Sequence, residues 1–252
     1  MLLNLAGKTA LITGSSKGIG FAIAEALHSR GCKVSLNARE EKSLCEASLK
    51  LKGSVFVHGD VSKIEDAIRV VNESTQKLGR LDILICSVGS GKSVAPGLEN
   101  TDEWRRVFEL NFWSAVNVID SARSALRKSK GVIICISSIC GLEVIPDAPI
   151  TYSTAKAALN AYIRGIARPL GNEGIRINAI APGNIIFPGS VWEEKLGNDS
   201  AGVMDKIQKE VSLQRFGKLE DVSNTVLWLS SPTSDFVSGS IFVVDGGQSR
   251  RF

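Results

Sequence analysis

Residues 9–20 read Thr9-Ala10-Leu11-Ile12-Thr13-Gly14-Ser15-Ser16-Lys17-Gly18-Ile19-Gly20, and this stretch decides the fold. The first five residues are apolar or β-branched and predict a buried strand, and a helical pattern follows the glycines. A glycine-rich turn between strand and helix lets backbone amides approach a pyrophosphate. An ordinary tight turn is the alternative, but strand, turn, helix and next strand within about thirty residues favour a dinucleotide site. The residues predicted to bind there are Gly14, Ser16, Lys17, Gly18, Ile19 and Gly20.

Short apolar runs recur along the chain and alternate with helical stretches. The predicted strands are Thr9–Thr13, Val34–Leu36, Val55–Val57, Leu81–Cys86, Val132–Ile136, Ile175–Ile180 and Ile241–Val244. The predicted helices are Ile19–Arg30, Glu40–Leu51, Ile64–Leu78, Asp102–Arg127, Tyr152–Leu170 and Glu220–Leu229. This alternation predicts a doubly wound, Rossmann-type α/β fold with a seven-stranded parallel sheet and helices on both faces.

The length and composition predict one large domain spanning residues 1–252. The chain has 44% apolar and 22% charged residues, which is globular composition with enough length for a sizeable core. Within this domain, the stretch from Pro182 to Gly217 has no strand signal but carries apolar residues that would be poorly placed in solvent. We therefore expect residues 184–217 to cover a substrate, and a disordered surface loop is the alternative.

Charge and chain-end patterns exclude several classes of partner. The net charge of +4 comes from scattered Lys and Arg, so neither nucleic-acid binding nor membrane binding is expected, although the mild basic excess suits an anionic ligand. Residues Met1 to Gly7 carry no basic region and no cleavage-like pattern, which predicts a cytoplasmic location.

The cysteines and histidines predict structural roles. Five cysteines are odd in number and several lie in apolar runs, so we expect buried thiols rather than redox centres. His28 and His58 have no carboxylate or thiol at ligand spacing, and therefore no metal site is predicted.

The end of the second predicted strand indicates which dinucleotide binds. This position, where a dinucleotide ribose lies, contains Asn37 and Arg39 but no carboxylate. Arg39 can pair with a 2′-phosphate and Lys17 adds charge, so NADP(H) is preferred over NAD(H); a solvated Arg39 is the alternative. After the third strand, Asp60 and Val61 are predicted to contact the adenine, while Asp60 alternatively caps the next helix.

Tyr152 and Lys156 stand four residues apart on a predicted helix, which places both side chains on one face. A free phenol has a pKa of about 10, so a Tyr that acts as an acid or base near neutrality needs a nearby positive charge. The spacing by itself also fits a solvated helix face.

Several segments resemble those of the short-chain dehydrogenase/reductase family. The glycine turn fits the family's T-G-x-x-x-G-x-G pattern, and Tyr152 with Lys156 fits its Y-x-x-x-K. The run Ile136-Ser137-Ser138 is similar to the segment that supplies the family's serine, assigned here to Ser138, and Asn111 occupies the place of its asparagine. Residues 178–183 resemble the family's segment that leads to the nicotinamide. Residues 243–247 resemble its last strand and the turn that follows.

The resemblance implies a role for each of these four residues. Reducing a carbonyl requires a hydride on carbon and a proton on oxygen, and Tyr152 is expected to act as that acid or as the base of the reverse reaction. Ser138 is expected to polarise the carbonyl, and Lys156 to lower the pKa of Tyr152 and bond the nicotinamide ribose. Asn111 is expected to anchor a water that links Lys156 to solvent. A turn-forming Ser138 and a backbone-bonded Asn111 are the alternatives.

The chain departs from the family pattern in three places. Where the family has N-N-A-G, this chain has Cys86-Ser87-Val88-Gly89, in which Gly89 keeps the predicted close approach to cofactor. Pro182 and Gly183 are also predicted cofactor contacts. After them the family has a Thr that reaches the cofactor, but this chain has Phe187 there, so the Ile185 backbone is the candidate for that contact. One extra residue between Ser138 and Tyr152 predicts an insertion within residues 141–151 and an altered pocket.

We therefore expect an NADP(H)-dependent oxidoreductase that transfers a hydride between the nicotinamide and a small-molecule carbonyl or alcohol. The pattern looks closest to the 3-oxoacyl-carrier-protein reductase branch, so a ketone or 3-oxoacyl reductase is favoured, and the family implies a homotetramer. A sugar or polyol dehydrogenase of the same mechanism is the first alternative. A catalytically silent NADP-binding regulator is the second, and the presence of all four predicted catalytic residues disfavours it.

Overall fold

The computed structural model describes residues 3–250, which are organised around one seven-stranded parallel sheet. The strands are β1 (Thr9–Thr13), β2 (Lys33–Asn37), β3 (Val55–Phe56), β4 (Ile83–Cys86), β5 (Val132–Ile136), β6 (Arg176–Pro182) and β7 (Ile241–Val244). Their order is β3-β2-β1-β4-β5-β6-β7, so the winding reverses between β1 and β4. This topology confirms the predicted fold class.

The sheet is buried on both faces because each strand sends alternate apolar residues to opposite sides. Ala10 and Ile12 of β1 belong to one core cluster, whereas Leu11 belongs to the other. The first cluster packs under helices α1 (Gly18–Ser29), α2 (Glu41–Lys50) and α9 (Leu219–Ser230). The second packs under α3 (Ile64–Leu78), α5 (Ser114–Ser129) and α6 (Ile150–Gly171).

The predicted strands and helices are all present, and none of their ends moves by more than two residues. One prediction was wrong in detail, because the helix expected from Asp102 to Arg127 is interrupted. It consists of α4 (Thr101–Phe108), a π-helical turn at Glu109–Trp113, and α5. Such a turn holds an extra residue against the helical repeat and is frequent at functional sites.

The segment of residues 184–217 contains α7 (Val191–Asn198) and α8 (Ser200–Glu210). Its two ends meet, since Ile185 forms a parallel bridge with Gly217 and the Ile186 amide donates to the Gly217 carbonyl at 3.0 Å. A small core of its own joins the two helices, with Trp192 packed on Phe216 at 5.5 Å between ring centroids. Residues 184–217 therefore form a folded segment whose two ends meet beside the sheet, and they are not the disordered loop considered as the alternative.

The ends of the predicted domain, residues 1–2 and 251–252, lie outside the described part of the chain. Among the helices of residues 3–250, none has the length and apolar character needed to cross a membrane.

Candidate active site

The predicted site residues converge at the carboxyl edge of the sheet, where the winding reverses. In open α/β sheets this edge forms the ligand crevice, because the loops that leave neighbouring strands diverge there. The glycine turn follows β1, Gly89 follows β4, Ser138 follows β5, and Gly183 follows β6. The geometry of each position shows what the edge is able to bind.

The turn after β1 is shaped for a close approach of ligand and backbone. Gly14 and Gly18 have φ values of +65° and +59°, which side-chain-bearing residues rarely adopt. Helix α1 begins at Gly18, and a Cβ added to Gly20 would lie 2.2 Å from the Gly14 carbonyl oxygen. The turn therefore presents a helix N-terminus to the crevice with no side chain at its glycines, and this arrangement fits a diphosphate. Ser16 and Ile19 are partly exposed within it.

The end of β2 supplies unpaired positive charge. Arg39 and Lys17 are exposed, and neither forms an ion pair within residues 3–250. Asn37 is fully buried and donates from Nδ2 to the carbonyls of Val57 and Gly59, at 3.0 and 3.2 Å. Its Oδ1 is buried and accepts no hydrogen bond from the described residues. The side chains present fit an anionic nucleotide.

Asp60 and Val61 lie at the end of β3. The Asp60 carboxylate accepts from the Ser62 amide at 3.1 Å, while its own amide donates to Asp66 at 2.8 Å. Asp60 therefore orders the chain just before α3 but does not cap that helix, whose N-cap is Lys63 without a side-chain cap hydrogen bond. Val61 is buried with its side chain in the core, so only its backbone is available to a ligand.

Tyr152 and Ser138 are brought together beside the crevice. Tyr152 lies in the first turn of α6, and its phenol is close enough to the Ser138 hydroxyl for that hydroxyl to favour the phenolate. Ser138 is almost fully buried and its Oγ accepts from the Cys140 amide at 3.2 Å. The hydrogen bond from the Cys140 amide uses one lone pair of Ser138 Oγ and leaves the hydroxyl hydrogen of Ser138 free to donate. The pair can therefore hold one carbonyl oxygen between a donor and an acid.

Lys156 and Asn111 meet at Gly89. A Cβ added to Gly89 would lie 2.8 Å from Asn111 Oδ1 and 3.1 Å from Lys156 Nζ, so only glycine fits between them. Lys156 is buried, donates to the Ile136 carbonyl at 2.9 Å, and lies 5.8 Å from the centroid of the Tyr152 ring. Both predicted residues therefore belong to the cluster around Tyr152.

The Asn111 side chain bonds to the protein backbone, as its alternative expected. Located in the π-helical turn, it accepts from the Ser90 amide at 3.0 Å and donates to the carbonyls of Ser90 and Val107. These bonds fix the loop after β4 against the helix. They also occupy both hydrogens of the side-chain amide and one lone pair of its oxygen.

Burial shifts the pKa values of both Tyr152 and Lys156. Burial raises the pKa of the Tyr152 phenol well above its usual value of 10, the nearby Cys140 adds to this when its thiol is ionised, and the nearby Ser138 hydroxyl opposes it. Burial also lowers the pKa of the Lys156 ammonium from 10.5 to about 8. The Tyr152 pKa is thus raised on balance in the protein alone, with burial as the largest cause, and its lowering by Lys156 stays a prediction. At neutral pH Tyr152 is a protonated acid beside a charged Lys156.

Asn160 is a site residue that the sequence analysis missed. It is buried one turn beyond Lys156 on α6, accepts from the Ser137 hydroxyl at 2.7 Å, and donates to the Gly141 carbonyl at 3.0 Å. Residues 137 and 141 flank Ser138, so one amide holds both sides of the serine turn. Its spacing of four from Lys156 was the available signal.

The segment after β6 packs closely against the end of β7 at Gly183. A Cβ added there would lie 2.7 Å from the Cβ of Asp245, and the Gly183 amide donates to the Val244 carbonyl at 3.0 Å. Pro182 ends β6 and is buried. The Ile185 side chain is buried in the core, which leaves its backbone for the predicted contact.

Two basic side chains that could attract an acidic substrate, Lys92 and Arg215, have acidic partners. Lys92 pairs with Glu194 of α7 at 2.8 Å, and Arg215 pairs with Asp221 at 2.7 Å. Arg215 lines a cavity of about 530 Å³ at the neck of residues 184–217, which neither Tyr152 nor Ser138 lines. Within residues 3–250 no group of His, Cys, Asp or Glu side chains is arranged to hold a metal ion.

The cysteines are only partly as predicted. All five are free thiols, and Cys32, Cys86 and Cys135 are buried. Cys45 is exposed because it lies on the outer side of α2, and Cys140 is partly exposed beside Ser138, so the expectation of burial was wrong for Cys45 and incomplete for Cys140.

The chain is similar over nearly its whole length to several known proteins. A family model described as enoyl-(acyl carrier protein) reductase matches residues 14–249. Glucose 1-dehydrogenase 2 of Bacillus subtilis is 31% identical over 98% of this chain and 96% of its own. A 3-oxoacyl-[acyl-carrier-protein] reductase of Staphylococcus epidermidis is 31% identical over 95% of this chain and 98% of its own. The structure of L-sorbose reductase from Gluconobacter frateurii, complexed with NADPH and L-sorbose, superposes with a TM-score of 0.92 at 30% identity and covers 100% of both chains.

The fold, the site and these relatives define an oxidoreductase that acts on alcohol or carbonyl groups. The chain belongs to the short-chain dehydrogenase/reductase family, which confirms the predicted resemblance.

Proposed function

We propose that the chain is an NADP(H)-dependent carbonyl reductase in which Tyr152 is the general acid. The observation that carries the proposal is the cluster at the carboxyl edge of the sheet, where the Tyr152 phenol lies near the Ser138 hydroxyl and Lys156 Nζ lies 5.8 Å from the centroid of the Tyr152 ring. The phosphate turn after β1 opens onto the same edge. Acid, carbonyl donor and dinucleotide turn are thus neighbours.

The proposed catalytic work of the chain consists of holding one oxygen and delivering one proton. A bound nicotinamide supplies or accepts the hydride. The Ser138 hydroxyl donates to the substrate oxygen and stabilises the charge that develops there. Tyr152, kept protonated by its raised pKa, transfers its proton to that oxygen. Lys156 stabilises the resulting phenolate and bonds the nicotinamide ribose, and Asn111 anchors the water that connects Lys156 to solvent.

Exposed charge supports NADP(H) over NAD(H). Arg39 and Lys17 flank the position of the ribose and have no acidic partner among residues 3–250. A 2′-phosphate would pair with the Arg39 guanidinium. The proposed dinucleotide contacts are those predicted from the sequence, with Asn37, Val61 and Ile185 acting through their backbones or, for Asn37, through Oδ1.

For the substrate, we propose a ketone or a 3-oxoacyl compound covered by residues 184–217. The loop of residues 142–149, which the extra residue lengthens, exposes the apolar Val144 and is linked to α8 by the Lys206–Asp147 ion pair at 3.6 Å. An apolar loop joined to the covering segment suits a substrate with an apolar hydrocarbon chain. A sugar or polyol is the second candidate, because the sorbose reductase superposes over the whole chain.

We also propose a homotetramer in the cytoplasm. Leu98, Trp113 and Ile150 are exposed near the start of α4, in the π-helical turn and at the start of α6. Apolar surface of this kind supports self-association. Five free thiols suit a reducing compartment. Light scattering of the purified protein measures the assembly, and a monomeric mass would contradict it.

A substrate panel tests the proposed function. Ketones, acyl thioesters and sugars are supplied with NADPH or NADH, and the loss of nicotinamide absorbance is followed. We expect turnover with NADPH and an apolar ketone or 3-oxoacyl thioester. Turnover with sugars alone would favour the second candidate, and NADPH binding without turnover on any substrate would favour a regulator.

A further inference from the structure

Phe187 lies directly over the phosphate turn. A Cβ added to Gly18 would lie 2.7 Å from Cε2 of the Phe187 ring and 3.1 Å from its Cζ. The ring is half-buried, and it packs beside the first core cluster together with Ile19 of the same turn. The space above Gly18, which the missing Cβ of that glycine leaves open, is therefore filled by an aromatic side chain from residues 184–217.

The ring is carried by a turn that is fastened to α7. The Phe187 amide donates to Ser190 Oγ at 3.3 Å, and the Ser190 amide donates back to the Phe187 carbonyl at 3.0 Å. Ser190 Oγ also accepts from the Glu193 amide and so caps α7. Movement of the ring and movement of this helix end are therefore coupled by three hydrogen bonds.

Across the crevice, the ion pair that α7 forms with residues 3–250 is the exposed one between Glu194 and Lys92, at 2.8 Å. Exposed pairs of this kind contribute little to stability, so the helix end can separate from Lys92 at small cost. On the side facing the crevice, only weak interactions therefore keep α7, and with it the Phe187 ring, in place over Gly18.

We propose that Phe187 is the residue that gates exchange of the dinucleotide, a role that rests on the proposed NADP(H) site. The ring leaves Gly18 when the diphosphate enters or departs, and it returns to shield the turn from solvent. A polar side chain at this position would instead contact the dinucleotide without covering the glycine. The size of side chain 187 therefore sets how fast the dinucleotide binds and dissociates.

The test is stopped-flow binding of NADPH, followed by nicotinamide fluorescence, with no substrate present. Phe187→Ala removes the ring and Phe187→Trp enlarges it. Phe236→Ala is the matched control, because Phe236 is fully exposed in the connection before β7, away from the carboxyl edge. Circular dichroism checks that each variant is folded.

We expect Phe187→Ala to raise both the association and the dissociation rate constants by about fivefold or more, a factor that corresponds to losing part of a buried aromatic contact. Phe187→Trp is expected to lower both, and Phe236→Ala to change neither. Rate constants of Phe187→Ala within about twofold of wild type, or changes of the same sign in both variants, would overturn the gate. Wild-type protein that binds no NADPH at all would overturn the proposed function itself.

Discussion

Replacing Lys156 with Met should stabilise the protein at neutral pH while removing its activity. Burial lowers the pKa of Lys156 from 10.5 to about 8. Each tenfold change in proton affinity is worth about 1.4 kcal/mol, so the buried charge costs the folded state roughly 3 kcal/mol. Met has a similar unbranched shape and no charge. It leaves the Ile136 carbonyl without its donor, a loss of about 1 kcal/mol, and the net gain at pH 7 is about 2 kcal/mol.

The sign of the pH dependence follows from which state holds the proton. Below about pH 8 both folded and unfolded chains carry charged Lys156, and the full cost is present. As pH rises toward 10.5 the folded chain loses this proton first, the cost shrinks, and the wild type gains stability relative to Lys156→Met. The advantage of the variant should therefore disappear by about pH 10, once the remaining cost only balances the lost hydrogen bond.

The assay is urea unfolding of the ligand-free protein at pH 7 and pH 10, at one protein concentration. Lys42→Met is the control, because Lys42 is exposed on α2, and it should shift the free energy of unfolding by less than about 0.5 kcal/mol at either pH. A Lys156→Met variant less stable than wild type at pH 7, or a difference that does not change with pH, would refute the reasoning.

Three further predictions concern catalysis and binding. Arg39→Ala should weaken NADPH binding by about tenfold or more and leave NADH binding within about twofold, in titration calorimetry, while Arg30→Ala at the opposite end of β2 changes neither; an equal loss for both cofactors would contradict the assignment. Asn160→Leu should lower kcat by about tenfold or more with little change in KM or in NADPH affinity, since Ser138 loses its support; a change in KM alone would exclude this positioning role. The rate of carbonyl reduction should fall as pH rises through about 8, where Lys156 loses its charge, and Lys156→Arg should move that fall to higher pH; an unmoved pH profile would assign the fall to another group.

The fold was predictable because strand and helix signals alternate and β1 is apolar throughout. The π-helical turn at Glu109–Trp113 was not, since a periodic pattern of apolar residues does not reveal one extra residue inside a helix. That turn positions Asn111. The sequence therefore identified Asn111 as a candidate but did not predict the hydrogen bonds that its side chain makes.

The predicted catalytic residues come together, but two properties of the site required the three-dimensional structure. The pKa of Tyr152 depends on how completely protein surrounds it, which the spacing from Lys156 does not convey. The partner of Lys92 is 102 residues away on α7, a distance along the chain at which no local pattern applies. Burial and long-range pairing are set by tertiary packing.

The most direct test of the account is NADPH oxidation by wild type and Tyr152→Phe on the same carbonyl substrate, with NADPH affinity measured in parallel. The phenylalanine ring keeps the packing but has no proton to give. We predict that turnover falls by about a hundredfold or more while NADPH affinity stays within about threefold of wild type. Undiminished turnover by Tyr152→Phe would contradict the assignment of Tyr152 as the acid and with it the proposed mechanism.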